Sequence, residues 1–298
     1  MVCSRDPMSS SEQHSSPIHS AGSVRALWRY PVKSMRGEEL DEGRVVEAGI
    51  LRDRSFAVID RSNGKVASAK LPVKWAALLQ CSASFVEGSE PDGIESFARI
   101  TLPDGTVVSS ADPDLASRLS DALGRPVDLA TARPESPSVE RLDPFEEEET
   151  IVDIGGHMMA GRFSDYAAVH LVTTATLDRL GELYPEGRFD VRRFRPNIVV
   201  ATFPGSPGFV ENDWVGRTIA LGDQARLRIS DPTPRCAIPA LAQGDLPADR
   251  GILRTIGQHN RVPIPVLEGE ALPSVGVYAF VVRDGIVRRG APVRVVQA

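Results

Sequence analysis

The sequence predicts a mainly β (α+β) fold that is barrel-like and carries a few short helices. Three observations support this. Short runs rich in β-branched and aromatic residues alternate with clusters of Gly, Pro, Asn and Asp. The chain holds 25 glycines and 23 prolines, enough to punctuate many turns. Only three segments show the apolar spacing of a helix.

The elements follow in order. Residues 24–32 form the first strand. Residues 55–60 and 65–69 flank Arg61-Ser62-Asn63-Gly64, which predicts a hairpin. Residues 78–85 read as an apolar strand with Cys81 in the core. A second hairpin joins 97–102 to 106–109 through Pro103-Asp104-Gly105. Asp112 then caps a helix in which Leu115, Leu119 and Leu123 recur every four residues, with Pro113 in its first turn and Gly124 at its end. Thr173 or Thr174 caps a helix carrying Leu177, Leu180 and Tyr184, stopped by Pro185. Residues 197–202 read as a buried strand, and 214–221 and 225–229 form a hairpin about Gly222-Asp223. Residues 250–259 are a short helix with Ile252, Leu253 and Ile256 inward. The end, 276–296, alternates around Asp284-Gly285.

Composition shifts divide the chain. Residues 1–23 contain eight serines and no charged-then-apolar signal pattern, so they read as a disordered leader. A first, smaller β domain spans 24–132. Pro134, Pro137 and Pro144, with the acidic run Glu146 to Glu149, mark 133–150 as a solvated linker or loop, and a second domain spans 151–298.

Several function classes fall away. No apolar stretch approaches the length of a membrane span, so no membrane partner is expected. Thirty-four basic against forty acidic residues give a net charge of −6, which argues against a surface that grips nucleic acid while allowing a local basic pocket. Three scattered cysteines make no disulfide framework and suggest a reducing compartment, the cytoplasm. Gly-rich phosphate loops, Gly-x-Ser-x-Gly and His-Glu-x-x-His are absent. The five histidines show no metal-ligand spacing, and His157 in Gly155-Gly156-His157-Met158-Met159 reads as a turn with a polar tip.

One cysteine stands in an unusual setting, Asp231-Pro232-Thr233-Pro234-Arg235-Cys236-Ala237-Ile238-Pro239. Three prolines stiffen the segment, and Arg235 beside the thiol favours thiolate, which is both a nucleophile and a soft-metal ligand. From these residues alone Cys236 is either that or a buried structural cysteine. Cationic residues give a second clue. Lys33-Ser34 follows one strand, Arg52 and Arg54 bracket Asp53 before another, and Arg192, Arg193 and Arg195 precede Pro196-Asn197 and a third. They are either ion pairs and surface charges or the lining of a mouth that binds an anion. Pro196 predicts extended backbone at Arg195.

Taken together, Tyr30-Pro31-Val32-Lys33-Ser34, Leu51-Arg52-Asp53-Arg54, Phe194-Arg195-Pro196-Asn197, Arg235-Cys236 and the closing Gly-x-x-Val of residues 290–293 occur in an order that resembles the MOSC superfamily. Within it, the order resembles the branch that includes the mitochondrial amidoxime-reducing component. The resemblance implies a MOSC-type β-barrel preceded by the smaller MOSC N-terminal barrel. It also implies a molybdenum cofactor (Mo-molybdopterin), with Cys236 as the metal ligand. Lys33, Ser34, Arg54, Arg195 and Asn197, with Arg235, fall on positions that hold the pterin and its phosphate. After Arg-Cys this chain reads Ala237-Ile238-Pro239-Ala240-Leu241 where animal relatives have threonines and an aspartate, so the substrate side differs.

Three functions follow from the resemblance. The first is a molybdenum reductase of N-hydroxylated (or N-/S-oxide) small molecules, fed by a separate electron-donor protein of flavoprotein or ferredoxin type. Asp165 is its candidate proton donor, with an exposed loop aspartate as the alternative. The second is a non-enzymatic cofactor carrier. The third is a sulfur-transfer protein that uses a Cys236 persulfide.

Overall fold

The computed structural model describes residues 18–85, 97–132, 135, 138–142, 151–153 and 162–296. It is mainly β: a closed seven-stranded barrel, an N-terminal β part and four short helices.

The N-terminal part begins with β1 (Ile18–Arg29), β2 (Glu38–Leu40), β3 (Glu42–Val46), β4 (Gly49–Ile50) and β5 (Ala57–Asp60). After α1 (Pro72–Trp75) come β6 (Ser82–Phe85), β7 (Ala98–Thr101), β8 (Val107–Ser109), α2 (Leu115–Leu123), β9 (Val127–Ala130), β10 (Glu140–Leu142) and β11 (Ile151–Asp153). The β7–β8 hairpin forms as its turn residues predict. Gly124 ends α2 at φ 67°, a left-handed position that suits glycine. The start of α2 differs from expectation: Asp114 is the cap residue, and Asp112 Oδ2 accepts from Ser109 N instead. The hairpin expected at 61–64 is also partial, because β5 pairs chiefly with β9 and touches the returning segment through one Ile59–Val66 bridge. Val58, Leu78, Ile100 and Leu119 fill this part's core, with Cys81 in the gap between a 3-10 turn and β6.

The barrel comes mostly from the second half: β12 (Val169–Thr173), α3 (Thr174–Leu183), β13 (Ile198–Ala201), β14 (Thr218–Leu221), β15 (Ala225–Pro234), α4 (Arg250–His259), β16 (Arg261–Ile264), β17 (Glu270–Arg283), β18 (Gly285–Arg288) and β19 (Pro292–Val296). Its strands run in the order β12-β13-β1-β19-β14-β15-β17, and β17 pairs back onto β12. Closure removes exposed edges. β12 and β13 are parallel, so a crossover must join them, and α3 is that crossover. Thr173 caps α3 by accepting from Thr176 N, as its position predicts.

One correction concerns the start of the chain. Residues 18–23, read from sequence as the tail of a leader, are the first half of β1 and pair with β19, with Ser23 also paired to β13. Gly22 is required there: a Cβ at this residue would lie 1.9 Å from Ala201 O. At the other end, the segment that alternates around Asp284-Gly285 divides, and β18 leaves the barrel to pair with β3. The acidic run 146–149 and His157 lie outside the described residues. Among the described residues no helix is long and apolar enough to cross a membrane.

Candidate functional site

One end of the barrel opens into a cavity of about 470 Å³. Eight residues singled out in the sequence line it: Lys33, Ser34, Arg54, Asp165, Arg195, Asn197, Arg235 and Cys236. They arrive on separate segments, just past the end of β1, just before β5, before β12, before β13 and after β15. Three other cations do not line it: Arg192 pairs with Asp190 and Asp245, Arg193 donates to Pro239 O and Pro247 O, and Arg52 lies over the Phe85 ring.

The backbone at this mouth is unusual. Ser34, Arg54 and Arg195 adopt left-handed φ values of 65°, 50° and 55°, a region that costs a non-glycine residue about 1 kcal/mol or more. The extended backbone expected at Arg195 is therefore not found. A tertiary hydrogen-bond set overrides the proline: Arg195 N donates to Val191 O, its guanidinium donates to Met35 O at 2.7 Å, and Tyr30 Oη donates to Pro196 O at 3.1 Å. Arg54 N donates to Tyr30 O at 2.7 Å, and Ser34 Oγ accepts from Ala69 N at 3.0 Å. The strain thus sits where neighbouring segments hold the chain from both sides.

Beneath the mouth lies Asp53, whose side chain is buried. It accepts from Tyr30 N, pairs with Arg54, and receives Arg162 at 2.8 Å. This is the ion pair that Arg54 and Asp53 suggested in sequence, and Arg54 also reaches the cavity. The guanidinium carbons of Arg54 and Arg195 lie 4.5 and 4.4 Å from the Tyr30 ring centre. Burial, together with the nearby Arg54 charge, brings Arg195 down to about 10. Asn197 accepts from Arg54 and from His170 N and donates to Trp28 O, so its amide anchors the mouth.

Lys33 and Lys70 both pair with the Asp165 carboxylate, and Lys33 Nζ also donates to Phe163 O at 3.1 Å. Burial opposes the Asp165 charge, but the two ammonium groups outweigh it and hold the carboxyl well below the usual range. Burial likewise opposes the Lys70 charge, and Asp165, Cys236 and Tyr278 outweigh it to push Lys70 up to about 12.

Cys236 is a free, half-buried thiol packed against Ala69, Leu79 and Ile238. The proline-rich stretch before it is the end of β15, fastened to β17 and followed by the hydrogen bond from Arg235 N to Pro273 O. Arg235 donates to Phe194 O from one terminal nitrogen, while its buried Nε and the buried Thr233 Oγ1 have no protein partner. Sequence reasoning missed Lys70, Ser68, His170 and Tyr278, isolated residues that only the folded chain brings to the mouth. Burial holds the His170 imidazole well below its usual range, so it is neutral.

The arrangement suits an anionic ligand. Six cationic side chains face three carboxylates across the cavity, whereas the whole chain is net negative. Three orphaned polar atoms on lining residues, Arg141 Nε, Thr233 Oγ1 and Arg235 Nε, point to an unfilled hydrogen-bonding demand. Among the described residues no three His, Cys, Asp or Glu side chains converge on a metal. A metal carried by a phosphate-bearing dithiolene fits these requirements.

Two family profiles match the chain: "MOSC domain" over residues 160–294, and "MOSC N-terminal beta barrel domain" over residues 21–78. Among solved structures, the YUAD protein from Bacillus subtilis is similar at 12% identity, covering 95% of this chain and 99% of that one, with a TM-score of 0.46. YiiM from Geobacillus stearothermophilus is 22% identical over 44% of this chain and 55% of its own, TM-score 0.29. YiiM from Escherichia coli is 16% identical over the same shares, TM-score 0.30. No curated protein matches.

Proposed function

Because this chain is a MOSC-domain protein, we propose that it binds a molybdenum cofactor and reduces small N-hydroxylated (or N-/S-oxide) molecules with electrons from a separate redox protein. MOSC domains are associated with sulfurase- and reductase-type proteins of that cofactor. The observation that carries the reading is convergence: a lone thiol and six cations from distant segments share one cavity. When bound, the cofactor supplies two-electron chemistry at a soft metal.

The chain's own residues divide the remaining work. Cys236 is the metal ligand. Lys33, Ser34, Arg54, Lys70, Arg195 and Arg235 bind the pterin and its phosphate, and Asn197 positions Arg54. Asp165 is a positioning carboxylate in this proposal rather than a proton donor, because its two lysines hold it ionised. The donor is a flavoprotein or ferredoxin, and the protein works in the cytoplasm.

The test is metal and pterin analysis of the full chain made in a host that synthesises the cofactor, followed by turnover of N-methylhydroxylamine with a chemical reductant. About one molybdenum and one pterin per chain, with turnover, is the expected result. Both groups without turnover indicate a carrier; neither group, with sulfane sulfur on Cys236, indicates sulfur transfer.

A further inference from the structure

The cavity has two unlike walls. One is cationic, and the other is the hairpin of β16 and β17 with its turn at residues 265–269. Val266 and Leu267 in that turn line the cavity and are 52% and 42% exposed. Isolated exposed apolar side chains need no explanation, but these two are adjacent, at a cavity rim, on a backbone that is fastened. The buried Asp231 carboxylate accepts from Val266 N at 3.0 Å with one oxygen and from Tyr166 Oη at 2.9 Å with the other. Glu268 then takes a left-handed φ of 55°, which turns the chain back into β17.

A solvated loop has no need of a buried carboxylate to hold its apolar tip. Here the tip is held over the mouth, and the apolar surface continues inward through Leu272 and Ile264. A ligand that fills the cationic wall through its polar groups would leave this apolar wall facing whatever second molecule enters.

We propose that residues 265–269 are a substrate-selecting lip, which favours molecules that carry an apolar body of aromatic-ring size behind a small polar N-hydroxyl end. This rests on the reductase reading for the polar end only. The apolar body lies against Val266 and Leu267 while the polar end points toward Cys236. Asp231 is a positioning residue that fixes the lip.

The test compares N-benzylhydroxylamine with N-methylhydroxylamine, which share a head group and differ in apolar body. Dissociation constants come from NMR titration of the full chain, without turnover. The wild type should bind the benzyl compound at least tenfold more tightly. Val266→Ser/Leu267→Ser should cut that preference below threefold with molybdenum, pterin and thermal midpoint unchanged, since both side chains are at the surface. Leu267→Phe should preserve or increase it. Equal binding of the two compounds by the wild type, or a preference that survives the double serine variant, overturns the lip. A protein with no molybdenum or pterin that still prefers the benzyl compound sinks the reductase reading and supports the lip.

Discussion

The barrel interior and the barrel mouth are built on the same strands, yet they obey opposite rules. Inside, Leu27, Leu171, Ile198, Leu227, Ile229 and Val277 pack into one buried apolar cluster. A few residues along, the same strands deliver Arg195 and Asn197 before β13, and Asp231 and Thr233 on β15. On β15 the buried series Leu227, Ile229, Asp231, Thr233 keeps its two-residue period through a bulge and changes only in chemistry. Burial pattern therefore reveals which side chains point inward, and polarity along that pattern reveals where the interior becomes a site.

The two cysteines give the widest contrast. Cys236→Ser should abolish reduction while leaving the fold intact, because a hydroxyl is a poor soft-metal ligand of similar volume. Cys81 lies in the N-terminal core, where burial pushes its thiol up to about 11. Cys81→Ser should keep activity and cost about 1–3 kcal/mol by burying a hydroxyl. Activity assays and denaturant melts on both variants check this. Full activity in Cys236→Ser would refute the ligand assignment.

Next in size is Asp53, the buried support of the mouth. Asp53→Ala leaves Arg54 and Arg162 without their shared carboxylate, and loss of one partner from a buried ion pair costs about 3–5 kcal/mol. Chemical denaturation measures the loss. A change below about 1 kcal/mol would mean that solvent already compensates these cations.

Arg195→Ala should weaken cofactor retention about ten- to hundredfold, the range of one charge-assisted hydrogen bond. Arg195→Lys should recover part of it, since a point charge lacks the guanidinium fork. Arg118, exposed on α2 and paired with Asp114, is the control whose removal changes nothing. Pterin content after gel filtration reads all three. Equal retention in Arg195→Ala and Arg118→Ala would break the distinction between mouth and surface.

Much of this molecule was legible in sequence because the signals were local. Turn chemistry marked β7–β8 and β14–β15, the Thr173 cap marked α3, and helical spacing marked α4 with both ends. The site residues were legible because Lys33, Arg54 and Arg195 each adjoin a strand end. Failures came where distant contacts decide the outcome. β18 pairs with β3, more than two hundred residues away in sequence. Residues 18–23 look like a polar leader but complete β1 because β19 pairs along them and β13 joins from Ser23 onward. Lys70 carries no sequence signal at all, since its role depends on Asp165 arriving from another segment.

The smallest effect tests a comparison between two carboxyls buried in opposite surroundings. Asp165, between two lysines, has its folded value depressed, so its stabilisation is present above the ordinary aspartate value and is lost as pH falls below it. Glu211 is fully buried beside α3, where Thr173 and Thr176 hydroxyls donate to it at 2.7 and 2.6 Å but supply no positive charge. Burial outweighs these bonds and raises its folded value above the ordinary 4.5. The folded state then holds a proton that the unfolded chain releases. That contribution is complete below the ordinary glutamate value and is lost as pH rises through the folded one. Glu211→Gln removes this titration. Its stability should lie within about 1 kcal/mol of wild type near pH 4.5, because the threonine hydroxyls can turn to meet an amide. It should then decline less than wild type as pH rises toward neutrality. Urea midpoints at a series of pH values give both curves, and parallel curves would show that Glu211 is already ionised in the folded protein.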